Sequence, residues 1–260
     1  MDLAITRDVS TDLDRCELTH LERQPIDVAR AQAQHEAYCR ALESLGLTVV
    51  RLPGDAALPD CCFIEDTAIV LDEVAVLTRP GAESRRGELP VVDAALRVHR
   101  RVVRIEAPGT LDGGDVLHVG RRLFVGLSSR TTEAGCLALR AAVAPFGYDV
   151  VPVAVRGVLH LKSAVTALDD RTLLANPDWI EPGPFAGLEL VPVPRQEPHA
   201  ANVLAVGGRA LLHAGFPLTA SLLERRGQRP LAVDVSEFVK AEAGVTCKSL
   251  LVFDGGRGGA

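Results

Sequence analysis

The chain has 260 residues, of which 47% are hydrophobic, 24% are charged and only 4% are aromatic, and its net charge is −6. This is the composition of an ordinary globular protein of one or two domains. The scarcity of aromatic side chains and the excess of acidic ones argue against nucleic-acid binding, which needs stacking platforms or a basic surface. We therefore expect no nucleic-acid partner.

The N-terminal residues carry no basic stretch followed by an apolar one, as a signal peptide would. The longest apolar runs are about seven residues, far short of the roughly 20 that a membrane helix requires. We predict a cytoplasmic protein with no membrane partner. In a reducing compartment most of the six cysteines should be buried thiols, and their spacing is typical of neither a disulfide framework nor a structural zinc site.

The first predicted element is a helix over residues 26–45, where small and apolar residues recur every three or four positions and Gly46 provides a stop. A short β-run follows at 49–52, and Pro53 and Gly54 end it. Further helices are predicted at 84–100, 131–146 and 218–226.

A repeated unit begins after this first helix and strand. In each copy a polar residue precedes a short apolar run, a tight turn and a second apolar run. The leading polar residues are Glu65, Asp112, His160, Asn202 and Cys247, at intervals of 42 to 48 residues. A period of this size indicates a repeated supersecondary unit, and the helices between the hairpins make the fold α/β. We predict five such units in a single catalytic domain over residues 1–260.

The phase of the repeat predicts that the leading polar residues of the five units lie close together. In a closed ring, equivalent positions lie at equal distance from one axis, so the five leading residues would converge on a central cavity. Cys247 would then be a nucleophile, His160 its acid and base, and Asp112 the carboxylate that orients the imidazole. Taken singly, each has a plainer interpretation: a buried thiol, a hydrogen-bonded core histidine and a turn aspartate.

Other charged residues indicate the kind of substrate. Asp60, Glu65 and Asp66 form an acidic cluster suited to a cation, and a planar guanidinium matches a carboxylate with two parallel hydrogen bonds. Arg85 and Arg130 could each bind a substrate carboxylate. The alternatives are a solvated acidic loop, a calcium site without EF-hand spacing, and solvated arginines at helix starts.

Together these motifs resemble the dimethylarginine dimethylaminohydrolases of the guanidino-group-modifying, or pentein, superfamily. The resemblance spans nearly the whole chain in seven segments at 59–67, 78–86, 111–115, 127–131, 160–163, 200–202 and 245–249. It implies a five-bladed α/β propeller, which agrees with the repeat.

The resemblance also implies a role for each candidate residue. Cys247 would be the nucleophile, His160 the general acid and base, and Asp112 the orienting carboxylate, with a shorter reach than the Glu of some bacterial relatives. Substrate would be bound by Glu65 and Asp66 at the guanidinium, by Arg85 and Arg130 at the α-carboxylate, and at the α-amino group by Asp60 and the backbone carbonyls of Leu18 and Ala241.

The implied reaction is hydrolysis of Nω-methylated arginine to citrulline and dimethylamine or methylamine, through a covalent thiouronium adduct. No cofactor or metal is expected, because thiolate and imidazole supply the chemistry. Alternatives are another guanidine hydrolase such as an arginine deiminase, a non-catalytic pentein binding module, and zinc binding by Cys247, His160 and the acidic cluster, which would be inhibitory at most. The expected partner is a small guanidino substrate, and the protein is expected to be a monomer or a homodimer.

Overall fold

Five three-stranded β-sheets make up the computed structural model, which describes residues 2–254. Within these residues the strands are β1 (Leu3–Arg7), β2 (Thr48–Leu52), β3 (Ala68–Val70), β4 (Val74–Leu77), β5 (Arg101–Arg104), β6 (Val116–Val119), β7 (Arg122–Leu127), β8 (Asp149–Ala154), β9 (Val165–Ala167), β10 (Thr172–Ala175), β11 (Glu189–Pro192), β12 (Leu204–Val206), β13 (Arg209–His213), β14 (Arg229–Val233) and β15 (Ser249–Val252). The helices are α1 (Val28–Ser44), α2 (Leu89–Arg97), α3 (Glu133–Val143), α4 (Leu161–Ala164), α5 (Pro217–Arg225) and α6 (Ser236–Val239).

All five sheets have the same internal order. An inner strand pairs antiparallel with a middle strand, and the middle strand pairs in parallel with an outer one, as β3, β4 and β5 do. A parallel pair cannot be joined by a tight turn, so the chain must cross over between middle and outer strands. Helices α1, α2, α3 and α5 make four of these crossovers.

The unit led by His160 departs from this plan. Its crossover between β10 and β11 contains, within the described residues, only a single 3₁₀ turn at Gly183–Phe185. Pro182 and Pro184 account for this, because proline lacks the amide proton that a helix interior needs.

The ring is closed by the two ends of the chain. β15 is the inner strand of a sheet whose middle strand is β1, with Ile5 opposite Leu250. β1 in turn pairs in parallel with β2 across α1. The five inner strands surround a central cavity of about 160 Å³. The predicted α/β ring of five units is thereby confirmed.

The elements follow the sequence pattern closely. α1 begins after Asp27, whose side chain accepts the amide hydrogen of Arg30, and the chain leaves it through Gly46 at a φ of 89°. The four residues of β4 are all buried, as expected for a strand covered on both faces. One difference is that the short helix α4 lies between His160 and β9, so the inner strand of this unit does not begin directly after its leading polar residue.

No helix within residues 2–254 is both long and apolar enough to cross a membrane.

Candidate active site

The five phased residues lie where the chain turns into each inner strand. Glu65 and Cys247 fall inside the 3₁₀ turns Ile64–Thr67 and Thr246–Lys248, ahead of β3 and β15. Asp112 and His160 directly precede the turns that lead into β6 and β9. Asn202 comes two residues before β12. Its side-chain nitrogen donates to the hydroxyl of Thr246, and its side-chain oxygen accepts the backbone amide hydrogen of the same residue.

Cys247 is the one partly exposed cysteine, and the other five are buried. The amide of Gly244 points at its sulfur at 3.4 Å. Burial, together with the negative charges of Glu65 and Asp66, raises the pKa of the Cys247 thiol to about 12. The unliganded site therefore holds a neutral thiol at neutral pH, not a preformed thiolate.

His160 is buried between two carboxylates. Its Nε2 lies 3.1 Å from Oδ2 of Asp112, and its Nδ1 lies 3.7 Å from Oδ1 of Asp66. Burial opposes the charged form, but Asp66, Asp115 and the hydrogen bond to Asp112 outweigh it and raise the pKa of His160 to about 9. The imidazole is consequently protonated at neutral pH and able to give up a proton.

Asp112 is fixed from both ends. Its Oδ1 accepts the amide hydrogen of Gly81 at 2.8 Å, and its own amide donates to Oγ1 of Thr131 at 3.1 Å. The aspartate side chain at this position, although shorter than a glutamate, therefore reaches His160, with 3.1 Å between Oδ2 and Nε2.

The two glycines after Asp112 let the backbone pass close to the site. A Cβ on Gly114 would lie 2.6 Å from Oδ1 of Asp66 and 2.7 Å from Nδ1 of His160, and a Cβ on Gly113 would collide with the carbonyl of Glu65. The amide of Gly114 donates to Asp66 at 2.9 Å. The Asp-Gly-Gly-Asp motif is thus required by close approach as well as by its turn.

The second aspartate of that motif, Asp115, is a supporting residue to which sequence reasoning gave no role. It is fully buried and accepts hydrogen bonds from the hydroxyls of Ser128 and Thr131 at 2.6 Å each and from the amide of Leu161 at 2.9 Å. Burial raises the pKa of Asp115 to about 6 despite these bonds. It ties the turn after His160 to the turn that carries Asp112.

Arg85 makes contacts that differ from its predicted role at the substrate carboxylate. Its buried guanidinium donates to Oδ2 of Asp66 at 2.6 Å and to both oxygens of Glu88 at 2.9 Å. Another Nη2 hydrogen goes to the carbonyl of Phe63. These contacts leave one Nη1 hydrogen for a further acceptor. Glu88, which the sequence did not single out, is the buried partner that neutralises this arginine.

Glu65 also has contacts other than those predicted. Its carboxylate pairs with Nζ of Lys162 at 2.6 Å and accepts from Oγ1 of Thr246 at 2.9 Å. These three residues line the central cavity between the inner strands, not the smaller cavity beside Cys247. Glu65 and Asp66, adjacent in sequence, therefore face two different cavities.

Three of the residues predicted to hold the amino-acid end meet at residues 17–19. Asp60 accepts the amide hydrogen of Glu17 with both oxygens at 3.2 Å, and burial raises its pKa to about 6. Nη2 of Arg130 donates to Oγ1 of Thr19 at 3.0 Å. Leu18 lies between Glu17 and Thr19, so Asp60 and Arg130 contact the residues on either side of it.

Most of the predicted site residues line one small cavity. Its volume is about 20 Å³, room for little more than a water molecule. Eight of the ten predicted site residues line it: Asp60, Asp66, Arg85, Asp112, Arg130, His160, Ala241 and Cys247. A guanidino compound can enter only if part of this wall moves.

Asp66, Asp112 and His160 are also the group best placed to hold a cation within residues 2–254, with ligand atoms within 4.8 Å of one another. A metal would need a neutral imidazole, whereas the carboxylates raise the pKa of His160 to about 9. The arrangement is better suited to moving protons than to binding a metal.

No protein-family model matches the chain, but individual curated proteins do. The chain is 44% identical over 249 residues to an N(G),N(G)-dimethylarginine dimethylaminohydrolase of Streptomyces coelicolor. This match covers 95% of this chain and 95% of that protein. It is 37% identical over 226 residues to the enzyme of that name from Pseudomonas aeruginosa, with 86% of this chain and 89% of that protein covered.

Solved structures agree with these matches. The dimethylarginine dimethylaminohydrolase of Pseudomonas aeruginosa, in a cysteine-to-serine mutant complexed with citrulline, has a TM-score of 0.89 to this chain at 35% identity. The match covers 96% of this chain and 98% of that chain.

Proposed function

Because the chain belongs to the dimethylarginine dimethylaminohydrolase family of hydrolases, we propose that it converts Nω-methylated arginine to citrulline and an alkylamine through a covalent adduct on Cys247. The observation that carries this assignment is the placement of Cys247, His160, Asp112 and Asp66 around one cavity, although the chain separates them by up to 181 residues. We also propose that residues 1–260 act as a single catalytic domain, and one closed ring over residues 2–254 supports this.

Substrate binding activates the nucleophile. The carboxylates that raise the pKa of Cys247 also attract a cation, and a bound guanidinium beside the sulfur favours the thiolate. The thiol proton leaves to solvent as the cation binds. This order of events suits a site whose resting thiol is neutral, and it makes the substrate's own charge a requirement for attack.

His160 handles the protons of both half-reactions. The thiolate of Cys247 attacks the guanidinium carbon, and protonated His160 gives its proton to the departing dimethylamine or methylamine, which leaves a cationic thiouronium adduct. Neutral His160 then takes a proton from the attacking water. Loss of the thiolate from the second tetrahedral intermediate, with one proton released to solvent, yields citrulline. Asp112 holds the imidazole throughout.

The amino-acid end of the substrate determines the depth at which the guanidinium sits. We assign its α-amino group to Asp60 and the carbonyls of Leu18 and Ala241, and its α-carboxylate to Arg130 and the remaining Nη1 hydrogen of Arg85. We assign the guanidinium to Asp66, because Asp66 lines the cavity beside Cys247 whereas Glu65, paired with Lys162, lines the neighbouring one.

A product assay with matched substrates tests the proposal. Asymmetric dimethylarginine and unmethylated arginine are supplied side by side, and dimethylamine, ammonia and citrulline are quantified. We expect citrulline and dimethylamine in equal amounts from the methylated substrate, and none with Cys247→Ser. Ammonia release from arginine at a higher kcat/KM would instead identify a deiminase, and full activity of Cys247→Ser would refute the assigned nucleophile.

A further inference from the structure

The segment at residues 17–23, which we call the lid, has no regular secondary structure, is largely exposed, and contributes Glu17 to the lining of the cavity beside Cys247. Side chains from distant parts of the chain hold its backbone. One carboxylate, that of Glu242, accepts the amide hydrogens of three consecutive residues: Thr19 at 3.0 Å, and His20 and Leu21. Hydrogen bonds to an ionised acceptor are stronger than those between neutral groups.

Glu242 has an unusual backbone. Its φ of 58° is the one positive value found at a non-glycine residue within residues 2–254. It follows α6 in a turn closed by the amide of Ala243, which donates to the carbonyl of Phe238 at 3.0 Å. This left-handed position after a helix favours glycine. A glycine would relieve the backbone strain but would lose all three bonds to the lid.

Glu242 also stands at a boundary between two cavities. It lines the small cavity beside Cys247, and it lines a neighbouring one of about 280 Å³. His20 and Leu21, two of the residues it bonds, line the larger cavity as well. The lid and Glu242 therefore form part of the wall of both cavities.

We infer that Glu242 is a positioning residue that fastens the lid over the bound substrate. The inference rests on the proposed function, because it gives the lid a substrate to enclose. Leu18, whose carbonyl is assigned to the α-amino group, directly precedes the first amide that Glu242 holds. Fixing Thr19 thus fixes that carbonyl, and it keeps the hydroxyl of Thr19 beside Arg130.

Hydrogen–deuterium exchange of the lid peptide in the intact protein tests the contact itself. With Glu242→Gly we expect the amides of residues 19–21 to exchange at least about tenfold faster, because three hydrogen bonds to a carboxylate are removed. The melting temperature should stay the same or rise, since glycine suits the backbone. Glu22→Gln is the matched control, because it removes the same charge from an exposed residue of the same segment.

Kinetics then test the positioning role. We expect KM for dimethylarginine to rise about tenfold in Glu242→Gly with kcat within about twofold, and Glu242→Gln, which keeps one acceptor oxygen, to be intermediate. Unchanged exchange of the lid amides would overturn the inference, and so would faster exchange with an unchanged KM. The exchange experiment needs no turnover, so an enzyme inactive on methylarginine would refute the proposed function separately.

Discussion

At the scale of single residues, the charges around Cys247 set how it becomes a nucleophile. The thiol has neighbouring carboxylates and a protonated histidine that is itself hydrogen-bonded to a carboxylate. The negative charge of these carboxylates favours binding of a cationic substrate. A resting thiolate would need a net positive environment, as cysteines at helix N-termini or beside free cations have. Here the substrate supplies that positive charge.

Alkylation of the unliganded enzyme measures this resting state. Only the thiolate reacts with iodoacetamide, and because the pKa of Cys247 is raised to about 12, its fraction grows with pH throughout the neutral range. We expect the inactivation rate to rise about tenfold per pH unit from pH 6 to 9, with the label on Cys247. A plateau reached below pH 8 would contradict the neutral thiol.

The sequence pattern predicted some side-chain placements in the site but not others. The phase of the repeat predicted that all five leading residues meet in one central cavity. Asp112, His160 and Cys247 do share a cavity, but it is the small one, whereas Glu65 lines the central cavity and Asn202 lines the one of about 280 Å³. The phase could not separate Glu65 from Asp66, because in a 3₁₀ turn neighbouring side chains diverge and only the packed structure shows which way each one points. The partner of Arg85 was hidden for a related reason: Glu88 looks like a surface residue until its burial is known.

At the scale of elements, the turn Gly113–Asp115 positions three functional side chains. It directly follows Asp112, donates an amide hydrogen to Asp66 and leaves no space beside His160 for a Cβ. The sequence predicted this turn and the strands after it, because glycines and apolar runs are local signals. The conformation of the lid carried no such signal, since its hydrogen bonds come from Glu242, more than 200 residues away.

Gly114→Ala should therefore disrupt catalysis without unfolding the protein. The new Cβ would force Asp66 or His160 to move, and displacement of a catalytic group by about 1 Å can cost about a hundredfold in rate. We expect kcat to fall by about that factor while the far-ultraviolet circular dichroism is unchanged. Gly183→Ala is the control, because its Cβ would point into open space; equal kcat values for the two variants would contradict the close packing.

At the scale of the whole molecule, the ring depends on pairing between its two ends. β1 and β15 come from opposite ends of the chain, and without their sheet the inner strand that follows Cys247 would lose its partner. The sequence predicted five units from four full repeats and a last half-unit. It did not show that the first strand of the chain completes that half-unit, because the pairing spans nearly the whole chain.

Ile5→Ala tests whether this closure is coupled to the rest of the ring. Ile5 is fully buried, so truncation should lower the free energy of unfolding by about 2–5 kcal/mol. The single tryptophan, Trp179, lies in the unit led by His160, and we expect its fluorescence to report the same loss as circular dichroism. Val98→Ala, at a site 77% exposed, should leave both transitions in place. A fluorescence transition unmoved by Ile5→Ala would show that the units unfold independently.

The central claim is that Cys247 forms a covalent bond to the guanidinium carbon of a methylated arginine. Acid quenching during steady-state turnover of asymmetric dimethylarginine, followed by mass spectrometry of the peptide that contains Cys247, tests it most directly. We expect this peptide to gain the mass of the substrate less dimethylamine, and we expect the adduct to be absent from Cys247→Ser. Dimethylamine release by the wild-type enzyme, with equal release by Cys247→Ser and no adduct on Cys247, would contradict it.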